Sequence, residues 1–324
     1  MSLFRKPSTK KIGLKALVMG ETGSGKSVFA LSFPKVYALD AETGMSWYEN
    51  DKKWGSNLLG VANTQSHGEM SEAIDEISEM VSFDEGSVGT LAIDSETKFY
   101  QNLTDSALTV EEKKAIAKGK DVMDSAVSMR GYGRIKAVAT RLQNLKIDVS
   151  AKGVNVVSIA QIDDIKTKVG EQFVKIGEKP VMQKNSEYDY DLVVKLFTEV
   201  DSKGKTIYKG EIKKDRTGVT QVGQIIENPS YKIWQAYVES RDGADKIESK
   251  LAQDAGKSMK VLEKEDAEKE KSLSDIFKEL MSKSEAHQKR GIELVREKGI
   301  KNPMKPEANE HDALEAIVKE LQAI

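Results

Sequence analysis

The segment GETGSGKS at residues 20–27 constrains this chain more than anything else in it. It satisfies G-x-x-x-x-G-K-[ST] in full, follows the apolar run LKALVM and opens a predicted helix, the strand–turn–helix context that gives the motif its meaning. Such a turn wraps successive N–H groups around a phosphate, and the helix behind it adds the positive end of its dipole. Gly20, Gly23 and Gly25 free the backbone for that wrap, with Glu21, Thr22 and Ser24 between them. Lys26 is expected on the β- and γ-phosphates of a nucleoside triphosphate. Ser27 is expected on Mg²⁺, a hard ion that prefers oxygen ligands and arrives with the nucleotide. The expected cofactors are therefore ATP and Mg²⁺.

A second carboxylate is needed near that metal. The apolar run TLAID ends in Asp94, which places a carboxylate at the carboxyl edge of a sheet and makes Asp94 the second expected metal ligand. Ser95 follows it, and Glu96 beside it is one candidate base. Glu42, earlier in the chain in VYALDAETG just after the strand that follows the phosphate-loop helix, is the better candidate to hold an attacking water in line with the γ-phosphate.

Apolar runs alternate with amphipathic stretches from Leu14 to Ala160, the pattern of a mostly parallel sheet covered by helices on both faces. Met70, Ile74, Ile77 and Val81 form one helical stripe, expected to pack on that sheet. Further on, DLVVKLFTEV and KTIYKGEIKK flank the turn run DSKGK and read as an antiparallel extension. The expected organisation is a basic N-terminal arm at 1–13, an α/β ATPase core at 14–240, a charged linker at 241–269 and a small helical module at 270–324. In a chain of 324 residues the 39% hydrophobic content suffices for one large core with an appendage. No cysteine is present and only three histidines, which excludes disulfides, thiolate zinc sites and cysteine nucleophiles. No apolar run is long enough to span a bilayer, so a cytoplasmic location is expected. A net charge of -2 argues against coating nucleic acid over the whole surface but leaves room for local basic loops.

From Leu14 to Asn228 the order of these motifs resembles the RecA family core. ALDAETGM looks like the family segment with the catalytic glutamate, which favours Glu42 over Glu96, and the Asp94–Ser95 pair matches the end of the family's Walker B strand. VNVVSIAQ ends in Gln161, similar to the family's switch between the γ-phosphate and the DNA-binding loop. Lys213, Lys214 and Arg216 in GEIKKDR resemble the positions that reach a neighbouring subunit's nucleotide. The resemblance implies a homo-oligomer, ring or filament. Lacking a recognisable RecA N-terminal domain, the chain most resembles the bacteriophage RecA-like ATPases of single-strand annealing and recombination, in which case the cytoplasm would be that of a bacterial host.

The same resemblance implies two DNA-facing loops, and both positions here are long and basic. The first, about residues 111–134, carries Lys118, Lys120, Arg130 and Arg134, with Gly119, Gly131 and Gly133 expected to make it flexible. The second, about 163–185, carries Lys166, Lys168, Lys175, Lys179 and Lys184 around Phe173, a mixture suited to phosphate contact and base stacking. The arm has two readings: Phe4 inserts into a neighbouring subunit while Arg5, Lys6, Lys10 and Lys11 touch phosphate, or the arm is a disordered tail. The leading expectation is a DNA-stimulated ATPase that binds single-stranded DNA, with a single-strand-binding protein as a further partner. A RecA-fold helicase or helicase loader, and a partner-regulated scaffold ATPase without DNA binding, are the alternatives. A small-molecule kinase ranks last, since no arginine-rich lid is evident.

Overall fold

The computed structural model describes residues 6–247, 249, 251, 253–254, 256–261 and 272–323. They divide into two compact units, 1–252 and 253–324. The first unit is built on the strands β1 (Lys15–Gly20), β2 (Val36–Asp40), β3 (Leu58–Asn63), β4 (Thr90–Asp94), β5 (Asn155–Ala160), β8 (Leu192–Val200), β9 (Thr206–Asp215) and β10 (Ile225–Glu227). They form one eight-stranded sheet in the order β10-β9-β8-β1-β5-β4-β2-β3. From β3 across to β8 neighbouring strands run parallel, and β9 and β10 add antiparallel. A separate antiparallel pair, β6 (Ile162–Val169) and β7 (Gln172–Pro180), leaves the sheet directly after β5. This is the α/β fold with a mostly parallel sheet and an antiparallel extension expected from the alternation of runs. The exception is β3, an edge strand with little buried surface and so no continuous apolar run to betray it.

The central strands β1 and β5 are buried along their whole length, which requires helices on both faces. One face is covered by α1 (Lys26–Leu31) and α5 (Lys232–Glu239), whose Phe29 and Trp234 rings meet edge to face at 6.2 Å, with Phe33 and Tyr231 beside them. The Trp234 indole N–H donates to Asp215 at 3.0 Å, so this large side chain leaves no polar atom unpartnered. The other face is covered by α2 (His67–Phe83), α3 (Glu96–Ala117) and α4 (Met129–Ala151). The stripe Met70, Ile74, Ile77 and Val81 is the buried side of α2.

The pairing of α3 with α4 differs from expectation. Lys146 meets Glu96 at 2.6 Å and Ser128 meets Glu111 at 3.1 Å, so the helices lie antiparallel, a helical hairpin rather than a long loop. Residues 111–117 belong to α3, while Arg130, Gly131, Gly133 and Arg134 belong to α4. Gly131 is buried within the helix, so the segment outside both helices narrows to 118–128.

Where the arm and the start of the linker were expected, the described residues up to 251 are tied to the first unit. Lys11 donates its backbone N–H to Asp245 at 3.0 Å and its ammonium pairs with Glu85 and Asp242. The backbone N–H of Gly13 donates to Ser150 at 2.8 Å, and Ser249 donates to Asp148. The first unit thus extends past 240. Phe4 and Arg5 lie outside the described residues, as do 248, 250, 252, 255 and 262–269 of the linker and 270–271 at the start of the helical module. The second unit packs α6 (Leu273–Met281), α7 (Glu285–Lys298) and α8 (His311–Gln322) around Phe277, Leu294, Leu314 and Leu321. Gly291 lets α6 and α7 close, since a Cβ there would fall 2.3 Å from the sulfur of Met281.

Beneath α3 and α4 lies a buried ionic knot. The Glu96 carboxylate accepts from Lys146 at 2.6 Å, from Ser158 of β5 at 2.6 Å and from Tyr190 at 3.5 Å. Burial alone would lower the Lys146 ammonium, yet the Glu96 carboxylate and the Tyr190 phenol hold it well above its ordinary value. Burial pushes the Tyr190 phenol up to about 12. Removing one partner strands the other charge in the interior, so Lys146→Met is expected to destabilise the protein by about 3–5 kcal/mol in urea unfolding. Adding Glu96→Leu to it should recover most of that loss.

Candidate nucleotide site

Strand β1 delivers Gly20 to the carboxyl edge of the sheet, where a Cβ would collide with the Leu196 carbonyl oxygen at 2.4 Å and with Ser24 at 2.7 Å. Gly23 at φ +77 and Gly25 at φ +89 hold left-handed backbone, and Gly25 caps the start of α1. The loop is therefore shaped by glycine at the positions the motif demands. Lys26 folds its ammonium back onto the loop, donating to the carbonyls of Gly20 at 2.9 Å and Glu21 at 2.7 Å. Burial lowers its pKa against the pull of Asp94, Glu42 and Glu21, so a phosphate arriving in the cradle would find a cation in want of a stronger counter-charge.

Two hydroxyl–carboxylate pairs stand beside the loop. Ser27 donates to Asp94 at 2.6 Å, joining α1 to the end of β4 across the intervening strand β5. Ser95 donates to Glu42 at 3.1 Å. The loop bearing Glu42 is shaped by the buried Asp40, which accepts from the backbone N–H groups of Glu42 at 3.0 Å and Met45 at 2.8 Å. Burial raises the Asp94 pKa, with Asp40 and Glu42 adding to the rise, against the Ser27 hydrogen bond and Lys26. A carboxylate crowded by carboxylates beside a serine hydroxyl suits a divalent cation, so the donor set fits Mg²⁺ held by Ser27 and Asp94. Such an ion would neutralise phosphate charge, and Glu42, one residue pair away, would orient a water. Glu96, the other candidate base, is engaged by Lys146 and Ser158 in the interior. Gln161 stands at the end of β5 with its side chain exposed on the same edge of the sheet.

The family model of the AAA domain matches residues 12–226. The chain belongs to the AAA domain family. It is also similar to the KaiC-like protein PH0186 from the hyperthermophilic archaeon Pyrococcus horikoshii OT3, at 13% identity over 67% of this chain and 91% of that one, with a TM-score of 0.38. No curated protein matches its sequence. The membership makes the chain a P-loop ATPase by family, and the AAA domain spans all of the nucleotide-site residues described above.

Two tyrosines of this AAA domain escaped the sequence reading. The Tyr208 ring of β9 lies 3.3 Å from where a Cβ of Gly25 would stand, against the phosphate loop. Burial raises the Tyr48 phenol, and the charges of Asp94 and Tyr208 raise it further. Neither sits in a motif, and only the folding of β9 and the loop after β2 brings them here.

Lys213, Lys214 and Arg216 lie toward the opposite edge of the sheet, since Lys214 pairs in register with Val193 and Gly20 with Leu196. They cannot serve their own phosphate loop. Lys213 pairs with Glu211 at 2.6 Å, Lys214 donates to the Tyr188 carbonyl at 2.8 Å, and Arg216 holds Asp191 at 3.2 Å and the Tyr188 carbonyl at 3.1 Å. Burial and the neighbouring Arg216 lower the Lys214 pKa.

The second basic segment is the β6–β7 hairpin rather than an open loop. Successive cross-strand pairs alternate faces, so Lys166 with Lys175 and Lys168 with Phe173 share one face. Ile165, Val169 and Val174 lie on the other, and Phe173 is 71% exposed. The hairpin's own acids partly neutralise it. Asp164 pairs with Lys175 at 2.7 Å and Lys166 at 3.9 Å, Glu178 with Lys175 at 2.6 Å, and Asp163 with Lys179 at 3.8 Å. Among the described residues Lys168 and Lys184 make no ion pair. On the helical hairpin, Lys118 and Lys120 follow the end of α3, and Arg130 and Arg134 occupy the first turns of α4.

A carboxyl whose pKa is higher folded than unfolded stabilises the fold most when protonated, and that stability is lost as pH rises through the folded value. Without nucleotide and metal, Asp94→Asn should therefore raise Tm at neutral pH. The gain should vanish below about pH 4, near the ordinary aspartate value, and reverse in Mg²⁺–ATP, all read by thermal shift.

Proposed function

We propose that this AAA-domain protein is a DNA-stimulated ATPase that binds single-stranded DNA and promotes annealing or homologous recombination, as the resemblance to phage RecA-like ATPases implies. The observation that carries the reading is the root of the β6–β7 hairpin. Its first strand begins at Ile162, one residue past Gln161, on the strand that neighbours both the phosphate-loop strand and the Asp94 strand. The face with Lys166, Lys168, Phe173 and Lys175 therefore rises from the edge that would hold the γ-phosphate.

ATP would lie in the loop from Gly20 to Ser27, with Mg²⁺ on Ser27 and Asp94, and Glu42 as the base. Gln161 would register the γ-phosphate and pass its presence to the hairpin. Because Lys213, Lys214 and Arg216 face away from their own site, their proposed use is toward a neighbouring copy's nucleotide in a homo-oligomer, ring or filament. Lys118, Lys120, Arg130 and Arg134 would add phosphate contacts from the helical hairpin. A single-strand-binding protein is the proposed accessory partner.

The ion pairs of Asp163, Asp164 and Glu178 inside the hairpin favour one second reading, a partner-regulated ATPase in which the hairpin meets no DNA. Steady-state hydrolysis with and without single-stranded DNA separates the two, with Lys26→Ala as the blank. Stimulation supports the DNA reading, and equal rates support the partner-regulated one. Strong unwinding of a forked duplex would instead point to a helicase. The double variant Lys168→Ala/Lys184→Ala should weaken DNA binding and reduce the slope of log affinity against log salt by about 0.7 for each lysine that contacts phosphate. Its ATP affinity should be unchanged; undiminished DNA affinity would remove the hairpin from the proposed interface.

A further inference from the structure

Three consecutive residues follow Asp94, and each goes to a different destination. Ser95 donates to Glu42 at 3.1 Å, and Glu96 enters the buried knot with Lys146 and Ser158. Thr97, with no exposed surface, goes to the root of the β6–β7 hairpin. Its hydroxyl accepts from the backbone N–H of Gln161 at 2.9 Å and donates to the carbonyl of Val181 at 2.8 Å. The backbone N–H of Val181 in turn donates to the carbonyl of Gln161 at 2.8 Å. Gln161 is the residue before the first strand of the hairpin and Val181 the residue after the second. One side-chain oxygen thus ties both ends of the hairpin to the first turn of the helix that starts at the metal-ligand strand.

We propose that Thr97 is the positioning residue that transmits the state of the nucleotide site to the β6–β7 hairpin, by mounting the backbone of Gln161 and the exit of the hairpin on α3. The geometry admits little slack. Asp94 is bound to Ser27 of the phosphate loop at 2.6 Å, and its backbone carbonyl accepts from Ala41 at 2.6 Å, next to Glu42. Any shift of Asp94 or Ser95 when a metal–triphosphate is bound moves the first turn of α3, and the Thr97 hydroxyl moves with it. Glu96 lies in the same turn as Thr97, and its bonds to Lys146 of α4 and Ser158 of β5 keep that turn a rigid piece, so Ser95 and Thr97 shift together. The hairpin beyond is exposed along most of its length, with Glu178 near its base paired to Lys195 of β8. Thr97 touches neither nucleotide nor any reacting atom; it acts through Gln161 and Val181.

The proposal rests on the ATPase reading, and one experiment tells their failures apart. Affinity for a non-hydrolysable ATP analogue with Mg²⁺ is measured first, then amide hydrogen exchange across 161–181 with and without it. In the unsubstituted chain the analogue should change exchange at the amides of Gln161, Val181 and the hairpin together, by about tenfold, as expected when opening is linked to loss of two neutral hydrogen bonds. Thr97→Val, which keeps the shape and removes both bonds, should bind the analogue with unchanged affinity and retain basal hydrolysis while the change across 162–180 falls below about twofold, and Thr97→Ser should restore it. A merely structural role would alter exchange equally with and without the analogue. If the unsubstituted chain fails to bind the analogue, the ATPase reading and this one fall together. Binding that leaves the hairpin unchanged, a hairpin response without one at Gln161, or a full response in Thr97→Val overturns the coupling alone. The Gln161 measurement needs no variant and stands even where Thr97→Val does not fold.

Discussion

The contact on which the candidate site depends is the hydrogen bond from Ser27 to Asp94, made across an intervening strand. The phosphate loop leaves β1, Asp94 ends β4, and β5 lies between them, so the two residues meet only because the three strands are parallel and end level with one another. Parallel order is in turn what requires helices on both faces, and those helices supply the aromatic cluster of Phe29, Phe33 and Trp234 on one side and the α2 stripe on the other. The sheet thus brings a serine and an aspartate 67 residues apart to 2.6 Å, and the covering helices keep them partly out of water, where the carboxylate is uncomfortable without a cation.

Glu96 shows how the same helix start is kept rigid. A buried lysine–carboxylate pair gives little net stability by comparison with apolar packing, since desolvating both charges offsets much of their attraction. Its geometry, however, is demanding. Glu96 satisfies Lys146 of α4, Ser158 of β5 and Tyr190 before β8, so three elements must keep their relative positions for the charges to remain paired. The consequence is a stiff first turn of α3, in which Ser95 and Thr97 sit one residue on either side of Glu96 and keep their places relative to each other.

The legible part of the molecule was whatever a short local pattern encodes. The phosphate loop, the strands ending in Asp40 and Asp94, the α2 stripe and the β8–β9 hairpin can be read because each is a run of residues whose spacing carries its structure. Illegible features depended on partners distant in sequence. Tyr208 meets Gly25, and Thr97 meets Val181, without any motif to mark them. Glycine misled at Gly131 and Gly133, where neighbouring helix formers and packing on α3 hold a helix that glycine alone disfavours. Lysine misled in the second segment, because cross-strand pairing folds Asp163 and Asp164 back onto Lys179 and Lys175, and Glu178 meets Lys175 along β7.

That last point alters how the basic hairpin must be understood. Ion pairs between exposed side chains are weak and easily exchanged, since water and salt screen them. The acids of the hairpin therefore need not prevent phosphate contact; they set a competition in which a polyanion must displace carboxylates from Lys166, Lys175 and Lys179. A hairpin in that balance responds to its own placement more than to its charge. The pairs of Asp164 with Lys175 and of Asp163 with Lys179 join β6 to β7, so they depend on how the two strands sit against each other. Since both strand ends are fixed to one hydroxyl near the nucleotide site, the hairpin's charge pattern and its root are parts of one device.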